Sequence, residues 1–154
     1  MKKSSILILI IICLCGCGKS SKKTSITGEI KGLGTDTLYL YGMDESFDRI
    51  DTIFANGDKF SYTTSIDTIT SAYLLIDNQI EYPIFLDKGN QIKIKGNIDH
   101  FEFLDINGNK YNEEFTAFQK ELGSLNNPSE KDLEQKAEEF ITAHHSSFVS
   151  LYLL

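Results

Sequence analysis

An α+β fold is predicted, with an N-terminal antiparallel β-sandwich or barrel of about eight strands followed by a C-terminal helical segment. Three features of the sequence predict it. Between residues 25 and 106, short runs rich in β-branched and aromatic residues recur at close spacing, divided by Gly, Asn and Asp turns with no room for crossover helices. After Gly108 the apolar period lengthens from two to between three and four, the period of a helix. The change of period happens once, so the strands precede the helices.

The first strand is read over residues 25–31 and the second over 37–41, separated by Gly32-Leu33-Gly34. Residues 49–54 form a third and 59–63 a fourth, and Ala55-Asn56-Gly57-Asp58 between them predicts a tight hairpin, because Asn-Gly favours positive φ. Residues 71–76 and 80–86 follow across Asp77-Asn78. Pro83 has no N–H for a ladder, which places that strand at an edge or a bulge. Residues 91–95 alternate most cleanly, with Ile92 and Ile94 on one face and Gln91, Lys93 and Lys95 on a wet one. Residues 101–106 are expected to be the eighth strand.

Tyr111, Phe115, Phe118 and Leu122 recur at helical spacing, so a helix is predicted over 110–122, stopped by Gly123. Asn126-Asn127-Pro128 is a linker. Ser129 as N-cap, with Glu130 and Asp132 at the positive helix end, predicts a second helix from 130 to about 144, with Leu133, Ala137, Phe140 and Ile141 as its apolar stripe. Ser147 is placed to start a third. Five of the last seven residues are large and apolar with no stop signal, which reads as a helical segment (109–154) that is truncated.

The N-terminus carries Lys2 and Lys3, then an apolar run over 6–14, the plan of a secretory signal. A membrane span needs roughly 20 apolar residues, whereas Lys19, Ser20, Ser21, Lys22 and Lys23 follow almost at once. Leu14-Cys15-Gly16-Cys17 resembles a bacterial lipobox. The resemblance implies a signal peptide over 1–16, a diacylglycerol thioether on Cys17, a lipidated tether over 17–24, and a β domain over 25–108 held at the membrane by two or more acyl chains. The localisation it implies is the cell envelope, periplasm-facing, because no acidic residue follows Cys17 directly.

The 154-residue chain carries 15 basic and 22 acidic residues, a net charge of −7. Loss of residues 1–16 leaves 138 residues and a net charge of −9. That length suits one domain. The acidic balance argues against nucleic acid as a partner, and against the body of the domain lying flat on an anionic membrane. Cys13, Cys15 and Cys17 all belong to the signal or its processing site, so the mature chain is expected to have no free thiol, disulfide or thiolate metal site.

Candidate chemistry is sparse. His144 and His145 are adjacent, so on a helix they diverge by about 100° and do not share one ion. His100 sits in a polar loop beside Asp99 and Glu102. Asp44, Glu45 and Asp48, with Asp51 nearby, form the densest acidic loop, without the glycine turn and oxygen spacing of a calcium loop. Paired carboxylates of a hydrolase depend on spatial separation that sequence does not supply. Tyr39, Tyr41, Phe60, Tyr62, Tyr73, Tyr82, Phe85, Phe101 and Phe103 sit mostly at alternating strand positions, where sheet packing explains them and a binding face is the alternative.

Residues 25–154 resemble the N-terminal domain of unknown function that precedes a thioredoxin-like module in anchored thiol-disulfide oxidoreductases of the TlpA and AhpC/TSA type. The likeness rests on Ile26-Thr27-Gly28-Glu29-Ile30, Leu38-Tyr39-Leu40, Asp51-Thr52, Asn56-Gly57-Asp58-Lys59-Phe60, residues 84–90, Ile92-Lys93-Ile94-Lys95-Gly96, and Asn107-Gly108 ahead of Asn112. The redox Cys-x-x-Cys of those relatives lies in the following module, so the resemblance implies a lipid-anchored, non-catalytic accessory module without cofactor or metal. Its implied partners are the membrane, through Cys17, and a thioredoxin-like protein. The alternative is a stand-alone lipoprotein that binds a small molecule, glycan or peptide on its β-sheet face. A carboxylate enzyme ranks third.

Overall fold

The computed structural model describes residues 23–42, 47–77 and 79–154. The predicted signal, Cys17, Asp44, Glu45 and Asn78 lie outside the described residues. Eight strands form one sheet: β1 (Thr24–Lys31), β2 (Thr37–Gly42), β3 (Ile50–Asn56), β4 (Lys59–Thr64), β5 (Thr70–Ile76), β6 (Ile80–Leu86), β7 (Gln91–Asn97) and β8 (Asp105–Asn107). Their order is β6-β5-β2-β3-β4-β1-β7-β8, which curls into a nearly closed barrel with β6 and β8 as its two free edges. Three helices follow: α1 (Lys110–Gly123), α2 (Glu130–Ala143) and α3 (Phe148–Leu153).

Six ladders are antiparallel, as expected, and the seventh is not. β1 and β7 run parallel, with Ile26 beside Ile92 and Gly28 beside Ile94. Alternation sets what faces inward. Ile26, Ile30, Leu38, Leu40, Ile53, Ala72, Leu74, Ile84, Ile92 and Ile94 are all sealed from solvent. Phe60 fills the interior over Gly28, where even a β-carbon would collide with its ring. The β3–β4 hairpin turns at Gly57 and Asp58, whose φ values of 58° and 70° are those of a two-residue turn that matches strand twist. Pro83 lies on β6, an edge strand, where its missing N–H is tolerated.

The strand expected over 101–106 is corrected. Ile98–Phe103 is a 3-10 turn, and only Asp105–Asn107 pairs with β7. The Asn97 side chain accepts the Asp99 N–H at 3.0 Å, a local bond that draws the backbone out of the ladder. Phe101 and Phe103, whose alternation suggested a strand, stay exposed.

Helix α1 closes the barrel through polar side chains. On β6, the Asn112 Oδ1 accepts the Phe85 N–H at 2.9 Å and its Nδ2 donates to the Phe85 carbonyl at 2.8 Å. One turn on, the Thr116 hydroxyl accepts the Ile106 N–H at 3.1 Å and donates to the Ile106 carbonyl at 3.0 Å on β8. Both side chains are buried. Asn109, the N-cap of α1, also donates to the Phe85 carbonyl, at 2.9 Å. Residues four apart on a helix share a face, so one helical face pairs with the outward N–H and carbonyl of one residue on each free edge, Phe85 and Ile106.

Aromatic packing completes the closure. The Phe85 ring points outward, away from the barrel, and meets Phe115, Phe148 and Tyr152 edge-on at 5.6–6.1 Å. β6 is therefore covered on both faces, which explains its unbroken burial from Tyr82 to Leu86. Helix α2 attaches more lightly: Phe140 meets Phe118 at 5.1 Å, and none of its residues is buried. Its start is fixed by a reciprocal cap between Ser129 and Asp132.

Two stability outcomes follow from these contacts. Asn112→Leu leaves the buried Phe85 N–H without a partner and is expected to cost about 2–4 kcal/mol in urea unfolding, with the Phe85 amide losing hydrogen-exchange protection. Ser129→Ala is expected to cost about 1 kcal/mol. The Ser129 hydroxyl and N–H hold the Asp132 carboxyl below its ordinary range. The stabilisation from this cap is thus present at neutral pH and fades as pH falls through that depressed value, which an acid titration of unfolding midpoints would read as a difference between wild type and Asp132→Asn.

Candidate functional site

The outer surface of the barrel has three chemically distinct sides, because each strand points every second residue outward. Beneath the helices lies the aromatic cluster around Phe85. Across β3, β2 and β5 the outward residues are Ile50, Phe54, Tyr39, Tyr41, Tyr73 and Leu75, brought into register by the pairs Tyr41 with Ile50, Tyr39 with Leu75, and Tyr41 with Tyr73. Ile50 and Phe54 are more than 70 % exposed (72% and 73%). Tyr41 stacks on Tyr73 at 5.8 Å, and the Tyr73 hydroxyl lies 3.2 Å from that of Tyr152 on α3, where Leu151 is exposed as well. The apolar strip therefore runs from β3 to the last helix.

Burial, and then the nearby Glu81 carboxylate, pushes the Tyr41 phenol up to about 12. Tyr82 points into the barrel and is also raised to about 12, by burial first and then by Asp105. Tyr152 is raised through burial and its bond with Tyr73. Of the nine aromatics singled out from sequence, Phe101 and Phe103 lie in the 3-10 turn, and the other seven separate by parity. Phe60, Tyr62 and Tyr82 serve the interior, Phe85 serves the helix interface, and Tyr39, Tyr41 and Tyr73 form the outer face.

A second cluster lies where β3 and β4 part. Their ladder holds only Ala55 with Phe60 and Asn56 with Lys59. Beyond it, side chains bridge the strands: Arg49 Nε donates to Asp51 at 2.7 Å, Arg49 also donates to Thr64, and the Tyr62 hydroxyl donates to Asp51. Burial, and then the Asp51 bond, raise the Tyr62 phenol. Asp51, beside the acidic loop in sequence, is a residue of β3, as its place in the predicted third strand implies, and is held in an ion pair with Arg49, while Asp48 is exposed.

His100 and His144 each have their own partners. His144 stacks on Phe140 at 4.4 Å and its Nδ1 lies 3.9 Å from Glu114, which also accepts from Ser147. His100 pairs with Glu102 at 3.6 Å. The carboxylate beside His144 comes from α1, thirty residues away in sequence, so nothing local in the sequence marked it. Among the described residues, no group of three or more His, Cys, Asp or Glu could hold a metal ion, and no helix is long and apolar enough to cross a membrane.

A barrel sealed by its own helix and carrying an exposed aromatic strip defines a small α+β domain with a free outer sheet face. The chain belongs to the family described as Domain of unknown function (DUF4369), whose sequence profile matches residues 24–115, from the first residue of β1 to the middle of α1. That span ends on Phe115 and includes Asn112 but not Thr116. No curated protein and no solved structure matches the chain.

The raised phenols carry a sign. A group held protonated by the fold contributes stability that is complete below its unfolded pKa of 10.0 and is lost as pH rises toward the folded value of about 12. Tyr82→Phe is therefore expected to remove much of the loss of stability between pH 10 and 12, read as a smaller fall in thermal midpoint than wild type shows. Absorbance titration of wild type should find Tyr41 and Tyr82 among the late-ionising phenols.

Proposed function

We propose that the chain is a lipid-anchored envelope accessory module, non-catalytic in itself, which holds a protein partner through the outer face of β3, β2 and β5. The observation that carries this reading is the exposed strip of Ile50, Phe54, Tyr39 and Tyr41. A barrel already closed by α1 has no folding use for large apolar side chains on its outside, and contiguous exposed apolar surface marks contact sites. The lipobox-like Leu14-Cys15-Gly16-Cys17 supports the anchor and the envelope location. The resemblance of residues 25–154 to the front of thioredoxin-like oxidoreductases supports a thioredoxin-like domain as the partner.

A second reading draws on Tyr41 and Tyr73. Their stacked pair on an open sheet face suits a sugar ring or a peptide as well as a protein. The two readings differ in the area they need, since a protein contact uses Ile50 and Phe54 together with the tyrosines, whereas a glycan needs the tyrosines alone.

The anchor is tested by mass spectrometry of the mature chain. A diacylglyceryl Cys17 as the first residue is expected, and an unmodified Cys17 or retained residues 1–16 would refute it. For the partner, the same gene or its neighbour is expected to encode a thioredoxin-like domain with Cys-x-x-Cys. The double variant Ile50→Lys/Phe54→Lys should weaken binding to that domain by about tenfold or more, with its unfolding midpoint little changed. Equal binding by wild type and variant would exclude this face.

A further inference from the structure

The strand order sets a third side of the barrel opposite the aromatic one. β2 and β1 stand three places apart in an eight-strand barrel, so the outer face of β4, β1 and β7 looks away from that of β3, β2 and β5. The charge of this side runs against that of the chain. Its outward residues include Lys31 on β1, Lys59 on β4, and Lys93 and Lys95 on β7, with Glu29 as the one acid on those three strands. Asp105 on the neighbouring β8 is matched by Lys120 at 3.2 Å. Glu29 lies 3.9 Å from Lys59, and among the described residues Lys31, Lys93 and Lys95 make no ion pair. Between the lysines the surface is low and hydroxyl-rich, with Ser25, Thr27, Ser61 and Thr63 outward, and a groove of about 470 Å³ runs beside Lys31 and Lys95. The excess acid is carried elsewhere, with Glu130, Asp132, Glu134, Glu138 and Glu139 on α2.

We infer that the outer face of β4, β1 and β7 is the side that lies on the anionic phosphodiester headgroups of the bilayer. This inference rests on the lipid anchor proposed above. Six residues lie between Cys17 and Thr24, and the seven steps from one to the other reach at most about 25 Å when fully extended, about the length of β1 itself. The strand that leaves the tether is the strand at the centre of the basic face. Lys19, Lys22 and Lys23 in the tether add to the same charge. A net charge of −9 argues against membrane contact only if it is spread evenly, and the fold does not spread it evenly. Juxtamembrane lysines are drawn to anionic leaflets within a Debye length, about 8–10 Å at physiological salt. With this side down, the aromatic strip faces away from the bilayer and stays open to a partner.

The test uses the acylated chain on vesicles of phosphatidylcholine alone and of phosphatidylcholine with phosphatidylglycerol, read by mass spectrometry after a pulse of an impermeant amine-acylating reagent. On anionic vesicles at low salt, acylation of Lys59, Lys93 and Lys95 is expected to fall about threefold or more relative to zwitterionic ones and to recover in 0.5 M salt, about a 4 Å screening length. Lys110 and Lys131 on the helical side should change little. Lys93→Glu/Lys95→Glu should abolish the protection of Lys59. A chain that stays on both kinds of vesicle with unchanged lysine reactivity overturns the inference and leaves the anchor standing. A chain that leaves zwitterionic vesicles but holds anionic ones, with the same protection, overturns the anchor and keeps the basic face. Equal protection by soluble polyglutamate would assign the face to acidic peptides and overturn the membrane assignment.

Discussion

Two side chains of α1, Asn112 and Thr116, stand where a ninth strand would otherwise be needed. A nearly closed sheet ends in two edges, and an edge buried without partners costs on the order of 1–3 kcal/mol for each stranded N–H or C=O. The carboxamide presents a donor and an acceptor to Phe85, and the hydroxyl does the same for Ile106, so each imitates one residue of a neighbouring strand. Everything that follows in the chain uses this seating. Phe115 lies between the two polar residues and carries the contacts to Phe85 and Tyr152 that hold α3, while Phe118 gives α2 its attachment.

The strands were legible through their β-branched and aromatic runs, and most clearly at Gln91–Lys95, where one dry and one wet side of the sheet write a period of two into the sequence. The hairpin at Gly57-Asp58 was legible through its turn residues, and the helices through their spacing and Ser129. The parallel pairing of β1 with β7 was not. Nothing within either strand names a partner more than sixty residues away, and alternation is the same in parallel and antiparallel neighbours. The misread stretch at 101–106 shows the limit of alternation when a local cap at Asn97 competes with the ladder. The closure of the barrel did leave a signal. Asn112 and Thr116 are polar, four apart, and sit beside Tyr111 and Phe115 on the stripe of α1 that faces the core, where a polar residue requires a partner.

The candidate faces were only half visible for a related reason. Tyr39 and Tyr41 could be seen to oppose Leu38 and Leu40, but parity alone does not say which set is inside. Closure decides it by turning Leu38 and Leu40 inward, which leaves the tyrosines beside Ile50 and Phe54. Charge behaves likewise: composition reports a sum, while the sheet order sorts lysines to β1, β4 and β7 and carboxylates to α2. Chemistry that depends on faces becomes readable only when strand order is known.

β1 is the first strand of the barrel in sequence and lies inside the sheet, hydrogen-bonded along its length to β4 on one side and to β7 on the other. A pull on the chain ahead of Thr24 acts along the axis of β1, so both ladders are loaded in shear and their bonds must give together instead of opening one after another. If the proposed anchor holds the domain at that end, this geometry makes β1 a mechanical fastening that resists tension, while the far side, with the lightly attached α2, remains free to yield.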